Sequence, residues 1–399
     1  MKNIRKITRP AALILLALCM AGCGKSDKPE IALITDVGTV EDGSYNQGAW
    51  EGITRYGDEN EILYQYYQPR EAQKEAYLDS IDEAIDAGAK LIVCPGYLPE
   101  EAVFVAQKEH KRTHFILLDG IVHNADYTDL TVRKNVMQMI FAEEQAGFLA
   151  GYAAVRDGYT RLGFIGGVPE DAVIRFGYGF VQGADYAAIE MGRQVEVKYT
   201  YADTFFESAE VVSFASEWYN YGTEVIFACG GSMGRSVMNA AEACGGKVIG
   251  VDVDQSEESE TVITSAMKNL SDGVYGGISD YYNDHFKGGS TTLMNATNHG
   301  IGLPMETSRF RVFTQADYDA IYNQLINGGV VPVDVTTDGT TQDLMLVNVT
   351  VAYETFGAPA AEGEPQLVPE ETAEAPAEET PQEEQPAENT EPAEGEAQE

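Results

Sequence analysis

The chain is short of cations, histidine and pairable cysteine, and each shortage removes a class of function. Against 64 Asp and Glu it has only 26 Lys and Arg, a formal net charge of −38. Residues 358–399 supply −14 of this through 14 Glu with no Lys, Arg or Asp, and residues 1–22 supply +4, which leaves −28 on residues 23–357. That balance repels nucleic acid and offers no field for polyanions, so a neutral or cationic small ligand fits better. The five histidines, His110, His114, His123, His285 and His299, show no metal-ligand spacing. Asp252-x-Asp254-x-Ser256-x-Glu258 imitates the start of a calcium loop, but Glu257 and Ile263 stand where glycine and a bidentate glutamate belong, and no metal is expected. There is no C-x-x-C, so neither a zinc ribbon nor a redox pair is supported. Cys94, Cys229 and Cys244, the cysteines beyond the leader, cannot all pair and read as buried free thiols. No G-x-x-x-x-G-K-[ST] occurs, nor a G-x-G-x-x-G after the first strand, and no cofactor is expected.

Lys2, Arg5, Lys6 and Arg9 precede an apolar run, Ala11 to Ala21, too short to cross a bilayer. This is the pattern of a secretory leader over residues 1–22. Ala21 and Gly22 before Cys23 resemble a bacterial lipobox, whose cysteine is acylated, and two or more acyl chains would hold the mature chain stably on a membrane. The expected location is the extracytoplasmic face of the cell membrane, the plainer alternative being a secreted protein with a chance cysteine. Residues 23–29 read as a polar spacer. The Glu, Pro and Ala of residues 358–399 cannot bury enough apolar surface to offset ordering entropy, which predicts disorder.

Between residues 30 and 357 apolar runs alternate with amphipathic stretches, the pattern of parallel α/β architecture. Strands are predicted at 30–35, 61–67, 90–95 and 114–118, then at 161–166, 195–201, 224–229, 247–252 and 261–267. Helices are predicted at 44–57, 71–88, 99–110, 138–156, 172–191, 207–221, 233–244 and 272–286. Two such runs exceed one ordinary domain, so two lobes are expected. Residues 30–137 with about 263–290 would form the first, and residues 138–262 with about 291–357 the second.

Several strands end in a carboxylate or in glycine: Asp36, Asp119, Gly230-Gly231 and Asp252. One such carboxylate is commonly a helix cap or turn residue. Several at one sheet edge are different, because open α/β sheets bind small molecules there. Carboxylates accept paired hydroxyls from a sugar, and glycine lets a flat ligand approach the backbone. Tyr45 and Phe176 open helices in the two halves and could stack a planar base between them, while Phe180 reads equally well as core. Lys268, at the end of a strand, would keep Asp119 and Asp252 ionised and offer donors to sugar oxygens. A competing motif, Gly230-Gly-Ser232-Met-Gly234, fits the G-x-S-x-G of α/β-hydrolases and is followed by Asp252, His285 and His299, but no His-Gly-Gly-Gly segment precedes it.

Together, Asp42-Gly-Ser-Tyr-Asn46, Gln47-Gly-Ala-Trp50-Glu-Gly52, Asp119, Arg175-Phe-Gly-Tyr-Gly-Phe180, Cys229-Gly-Gly231, Gly250-Val-Asp252-Val-Asp-Gln255 and Thr264-Ser-Ala-Met-Lys268 resemble the basic membrane protein family of substrate-binding lipoproteins. Its characterised members include purine-nucleoside receptors of ATP-binding-cassette (ABC) importers. The resemblance implies a type I periplasmic-binding-protein fold, two doubly wound parallel-sheet lobes with a hinge, and a monomeric, non-enzymatic receptor that hands a nucleoside to a membrane permease. It also implies roles: Asp252 and Lys268 on ribose hydroxyls, Asp119 and Asn46 on polar ligand atoms, Tyr45 and Phe176 flanking the base, Asp36 and Gly231 along the remaining wall. Tyr45 stands where the family has Phe, and the acidic tail is not a family feature. A sugar or polar-metabolite receptor or sensor is the alternative within binding proteins, and a Ser232 hydrolase the alternative outside them.

Overall fold

A computed structural model describes residues 28–334 and 341–357. The leader, Cys23 and the acidic tail lie outside the described residues. The chain opens with β1 (Ile31–Ile34), α1 (Tyr45–Asn60), β2 (Tyr64–Tyr67), α2 (Lys74–Ala87), β3 (Leu91–Pro95), α3 (Glu100–Glu109), β4 (His114–Leu118) and β5 (Val136–Phe141). It repeats the scheme with α4 (Glu143–Arg156), β6 (Arg161–Gly166), α5 (Asp171–Met191), β7 (Val195–Tyr201), α6 (Ala209–Asn220), β8 (Val225–Cys229), α7 (Met233–Cys244), β9 (Lys247–Asp252) and β10 (Val262–Lys268). Then follow α8 (Leu270–Tyr282), β11 (Ser290–Met294), a 3-10 turn, β12 (Ile301–Gly302), α9 (Gln315–Ile326) and β13 (Val349–Tyr353).

Two sheets result, ordered β11-β5-β4-β3-β1-β2 and β12-β10-β9-β8-β6-β7-β13. Each contains the doubly wound order second, first, third, fourth, fifth, and every pairing is parallel except β10 with β12. Strands β1, β3 and β8 are wholly buried, as expected where helices cover both faces. Between α4 and α5, Gly147, Gly151, Gly179 and Gly183 let the two backbones touch: a Cβ at any of them would collide with a carbonyl oxygen of the other helix.

The lobe boundaries differ from those expected. The strand expected near 261–267 is β10, and it pairs with β9 in the second sheet, not the first. The helix expected over 138–156 is split, its first residues forming β5 of the first sheet and the remainder α4. Val-Met-Gln-Met-Ile-Phe is buried almost throughout, and a short apolar run buried on both faces carries no period to separate strand from helix. The chain therefore crosses between lobes three times, after Phe141, after Lys268 and after Met294. The crossings adjoin: Ala142 N donates to Met294 O at 2.9 Å and Asn269 N to Gly300 O at 2.8 Å. Strands β11, β12 and β13 and helix α9 were not expected. Among the described residues no helix is long and apolar enough to cross a membrane.

Candidate functional site

The carboxyl ends of both sheets face one cleft of about 620 Å³. All eight residues singled out from the sequence line it: Asp36, Tyr45, Asn46, Asp119, Phe176, Gly231, Asp252 and Lys268. The two lobes supply equivalent positions. Asp119 follows the fourth strand of the first sheet and Asp252 ends the fourth of the second, with φ of 49° and 67°. Backbone in the left-handed region is uncommon outside glycine, and Asp is among the residues that tolerate it. Gly231 has φ of 52°, and a Cβ there would meet Phe205 O at 3.1 Å.

The centre of the site is the Lys268 ammonium. It donates to Asp119 Oδ2 at 2.7 Å, lies 3.0 Å from Glu143 Oε1 and 3.8 Å from Asp252 Oδ1. Glu143 in turn accepts from Arg175 Nε at 2.6 Å. Burial alone would depress the lysine, but Asp119, Glu143 and Asp252 together hold it well above its usual value. Burial pushes Asp119 up, yet the charge and hydrogen bond of Lys268 carry it below the usual carboxylate range. Burial outweighs Lys268 at Glu143, where the charge of Asp119 adds to it, and at Asp252, so both are raised. Three carboxylates around one buried ammonium leave acceptor capacity beyond what Lys268 fills, which suits a ligand bearing hydroxyls. Lys268 also lies 4.8 Å from the Tyr45 ring centroid and 5.2 Å from that of Phe176, so the rings are no more than about 10 Å apart. A planar group between two rings needs roughly 3.5–4 Å on each side. Phe180 does not line the cleft and belongs to the core, whereas Phe176, though also buried and edge-on to Phe227, reaches the cleft wall.

The wall below Tyr45 is built differently from the sequence reading. Ser44 opens α1 but does not cap it. Asp42 accepts from the amides of Ser44, Asn46 and Gln47 at 2.9, 3.0 and 3.1 Å, and the Ser44 hydroxyl instead donates across the cleft to Asp252 Oδ2 at 2.6 Å. Asn46 is 1% exposed and already occupied: its oxygen accepts from Asp36 N, and its amide donates to Asp36 Oδ1 and Asp42 Oδ2. It therefore orients Asp36, whose Oδ2 has no partner among the described residues. Gln255 Nε2 donates to Gly43 O at 2.8 Å, a second bridge between the lobes.

Sequence reasoning missed Asp42, Glu143 and Arg175. Asp42 and Arg175 were inside the quoted motifs, whereas Glu143 and Glu144 fell within the helix expected over 138–156, and only the structure places them in the first turn of α4. Glu144 is 7% exposed, and burial, reinforced by the charge of Glu143, raises it from 4.5 to about 7. A carboxyl whose folded value exceeds its unfolded one makes the fold lose stability as pH rises through that window. Glu144→Gln is accordingly expected to remove a loss of about 3 kcal/mol between pH 5 and 8, visible as a flatter pH profile of urea midpoints. Identical profiles for the two proteins would contradict this account.

The hydrolase motif is not assembled. Ser232 Oγ donates to Phe205 O at 3.3 Å, Asp252 is engaged with Ser44, and among the described residues no histidine lines the cleft. Asp254, in the calcium-loop imitation, accepts from Thr307 Oγ1 at 2.6 Å. Cys94 and Cys229 are free and buried, Cys244 free and half-buried.

Two doubly wound lobes joined by three crossings, with a ligand-sized cleft at their facing carboxyl edges, define a type I periplasmic-binding protein. The chain belongs to the Bmp family, described as ABC transporter substrate-binding protein PnrA-like, whose sequence model matches residues 29–333. Similar proteins include the ABC transporter nucleoside-binding protein BmpA of Lactococcus lactis, 28% identical over 76% of this chain and 92% of its own length. Basic membrane protein B of Borreliella burgdorferi is 30% identical over 73% and 86%. Among solved structures, an ABC transporter solute-binding protein from Aeropyrum pernix superposes with a TM-score of 0.67 at 20% identity, covering 78% of this chain and 94% of the other. One from Conexibacter woesei gives 0.62 at 22%, covering 77% and 99%. These two likenesses bear on the fold.

Proposed function

We propose that this chain is a lipid-anchored, extracytoplasmic receptor that captures a nucleoside, with a purine base, and delivers it to an ABC permease without covalent chemistry. The observation that carries the reading is the juxtaposition at Lys268: two aromatic rings beside a buried cluster of carboxylates and one ammonium. A nucleoside is a flat base joined to a vicinal diol, and the cleft offers one feature for each half. The nucleoside-binding relative supports the same ligand class. The anchor would be Cys23, and Asn46 would serve the ligand through Asp36 instead of touching it.

Isothermal titration with purine and pyrimidine nucleosides, free bases and ribose tests the reading; absence of nucleoside binding sinks it, and ribose binding alone would favour a sugar receptor. Tyr45 sharpens the test, because its buried hydroxyl faces the Asp119 carboxylate without a well-formed hydrogen bond to it. An unsatisfied buried donor costs roughly 1–3 kcal/mol. Tyr45→Phe is therefore expected to raise the stability of the ligand-free protein by about 1 kcal/mol or more. The same change should lower nucleoside affinity severalfold if the ligand is what satisfies that hydroxyl. A destabilised Phe variant would show that the hydroxyl is already paired.

A further inference from the structure

Five neighbouring strands of the first lobe begin side by side, with Ile31 opposite Leu91, Leu91 opposite His114, Phe115 opposite Val136 and Met137 opposite Ser290. Each is preceded within its last three residues by a cation: Lys28, Lys90, Lys111 with Arg112, Arg133 with Lys134, and Lys287. Lys90 pairs with Glu30, and Lys287 with Asp280. Lys111, Arg112, Arg133 and Lys134 are exposed, and none of the four has a carboxylate partner among the described residues. Lys111, Arg133 and Lys134, together with His114, line a shallow cavity of about 450 Å³ that has no carboxylate in its wall. Glu109, two residues before Lys111, is an exposed acid close to the group in sequence.

An unpaired basic cluster is out of keeping with a chain of net charge −38, and its position is as telling as its sign. It lies on the edge where the chain enters the lobe, since Lys28 is five residues from Cys23. Five residues span at most about 18 Å. We propose that this amino-terminal edge of the first lobe rests on the phosphate headgroups of an anionic bilayer, a proposal that depends on the Cys23 anchor. The overall negative charge does not prevent this, because at physiological salt charges farther than roughly 8 Å from the surface are screened. Each cation near such a surface favours binding about fivefold. The cleft lies at the other end of the strands, about 17 Å away for five residues, so the resting receptor would present it away from the membrane.

The test uses the lipidated chain on phosphatidylcholine vesicles with and without phosphatidylglycerol, read by amide hydrogen exchange. Exchange of residues 110–113 and 131–134 is expected to be about tenfold slower on the anionic vesicles. Combining Lys111→Glu, Arg112→Glu, Arg133→Glu and Lys134→Glu should erase that difference while ligand binding, which these residues do not touch, reports an intact fold. Equal exchange on both vesicles, with the protein sedimenting on both, overturns the proposal and leaves the anchor standing. Failure to sediment with neutral vesicles, or retention of Cys23→Ser on them, would count against the anchor and so against the proposal through its premise.

Discussion

Replacing Lys268 by methionine is expected to abolish nucleoside binding and to destabilise the fold by about 3–5 kcal/mol, the cost of leaving buried charge without its partner. Asp119, Glu143 and Asp252 all lie within 3.8 Å of the ammonium, and the lysine side chain is 3% exposed. Methionine keeps most of the stem and removes the charge, so lost packing contributes little. The deficit should depend on pH with a definite sign. Without the ammonium the carboxylates titrate at higher pH in the folded state, and a group raised in this way loses stability as pH rises. The gap between variant and wild type should thus narrow from pH 8 to pH 5 in urea unfolding. A gap that is absent at pH 8, or constant across the range, would mean the four groups are not coupled.

Asp252→Ala and Phe176→Ala separate the two halves of the ligand. If Asp252 holds ribose hydroxyls, removing it takes away charge-assisted hydrogen bonds of roughly 1.5–3 kcal/mol and weakens nucleoside binding by about 10-fold to 150-fold. A free base, with no sugar to lose, should be affected far less. Phe176→Ala should weaken base and nucleoside together, by the roughly 1–3 kcal/mol of a stacking contact. Asp252 also accepts the Ser44 hydroxyl across the cleft, so part of its effect is lost closure of the lobes. Ser44→Ala measures that part, because it breaks the bridge and leaves the carboxylate. Equal losses for base and nucleoside in Asp252→Ala, beyond those of Ser44→Ala, would refute the ribose assignment.

Much of the scaffold was legible because its signals are local. The apolar runs of β1, β3, β4 and β8 and the carboxylates at strand ends can each be read from a few consecutive residues. β5 was misread because burial on both faces erases the period that separates strand from helix. β11 was missed for the opposite reason: Ser-Thr-Thr-Leu-Met is largely exposed, and its place is fixed by pairing with β5, some 150 residues earlier. The membership of β10 could not be read locally either, since a strand looks the same whichever sheet it joins.

By itself, then, the sequence determined the alternating α/β pattern, the two-lobe organisation and eight of the residues that line the cleft, because strand ends and the turns after them are encoded by neighbouring residues. Only the tertiary structure decided how those residues act on one another. It set Glu143 behind Lys268, gave the capping of α1 to Asp42, turned Ser44 across the cleft to Asp252 and tied Asn46 to Asp36. Each of these depends on distance and on access to water. Charges and donors far apart in the chain acquire their roles only when folding brings them within hydrogen-bond reach in a site from which water is largely excluded.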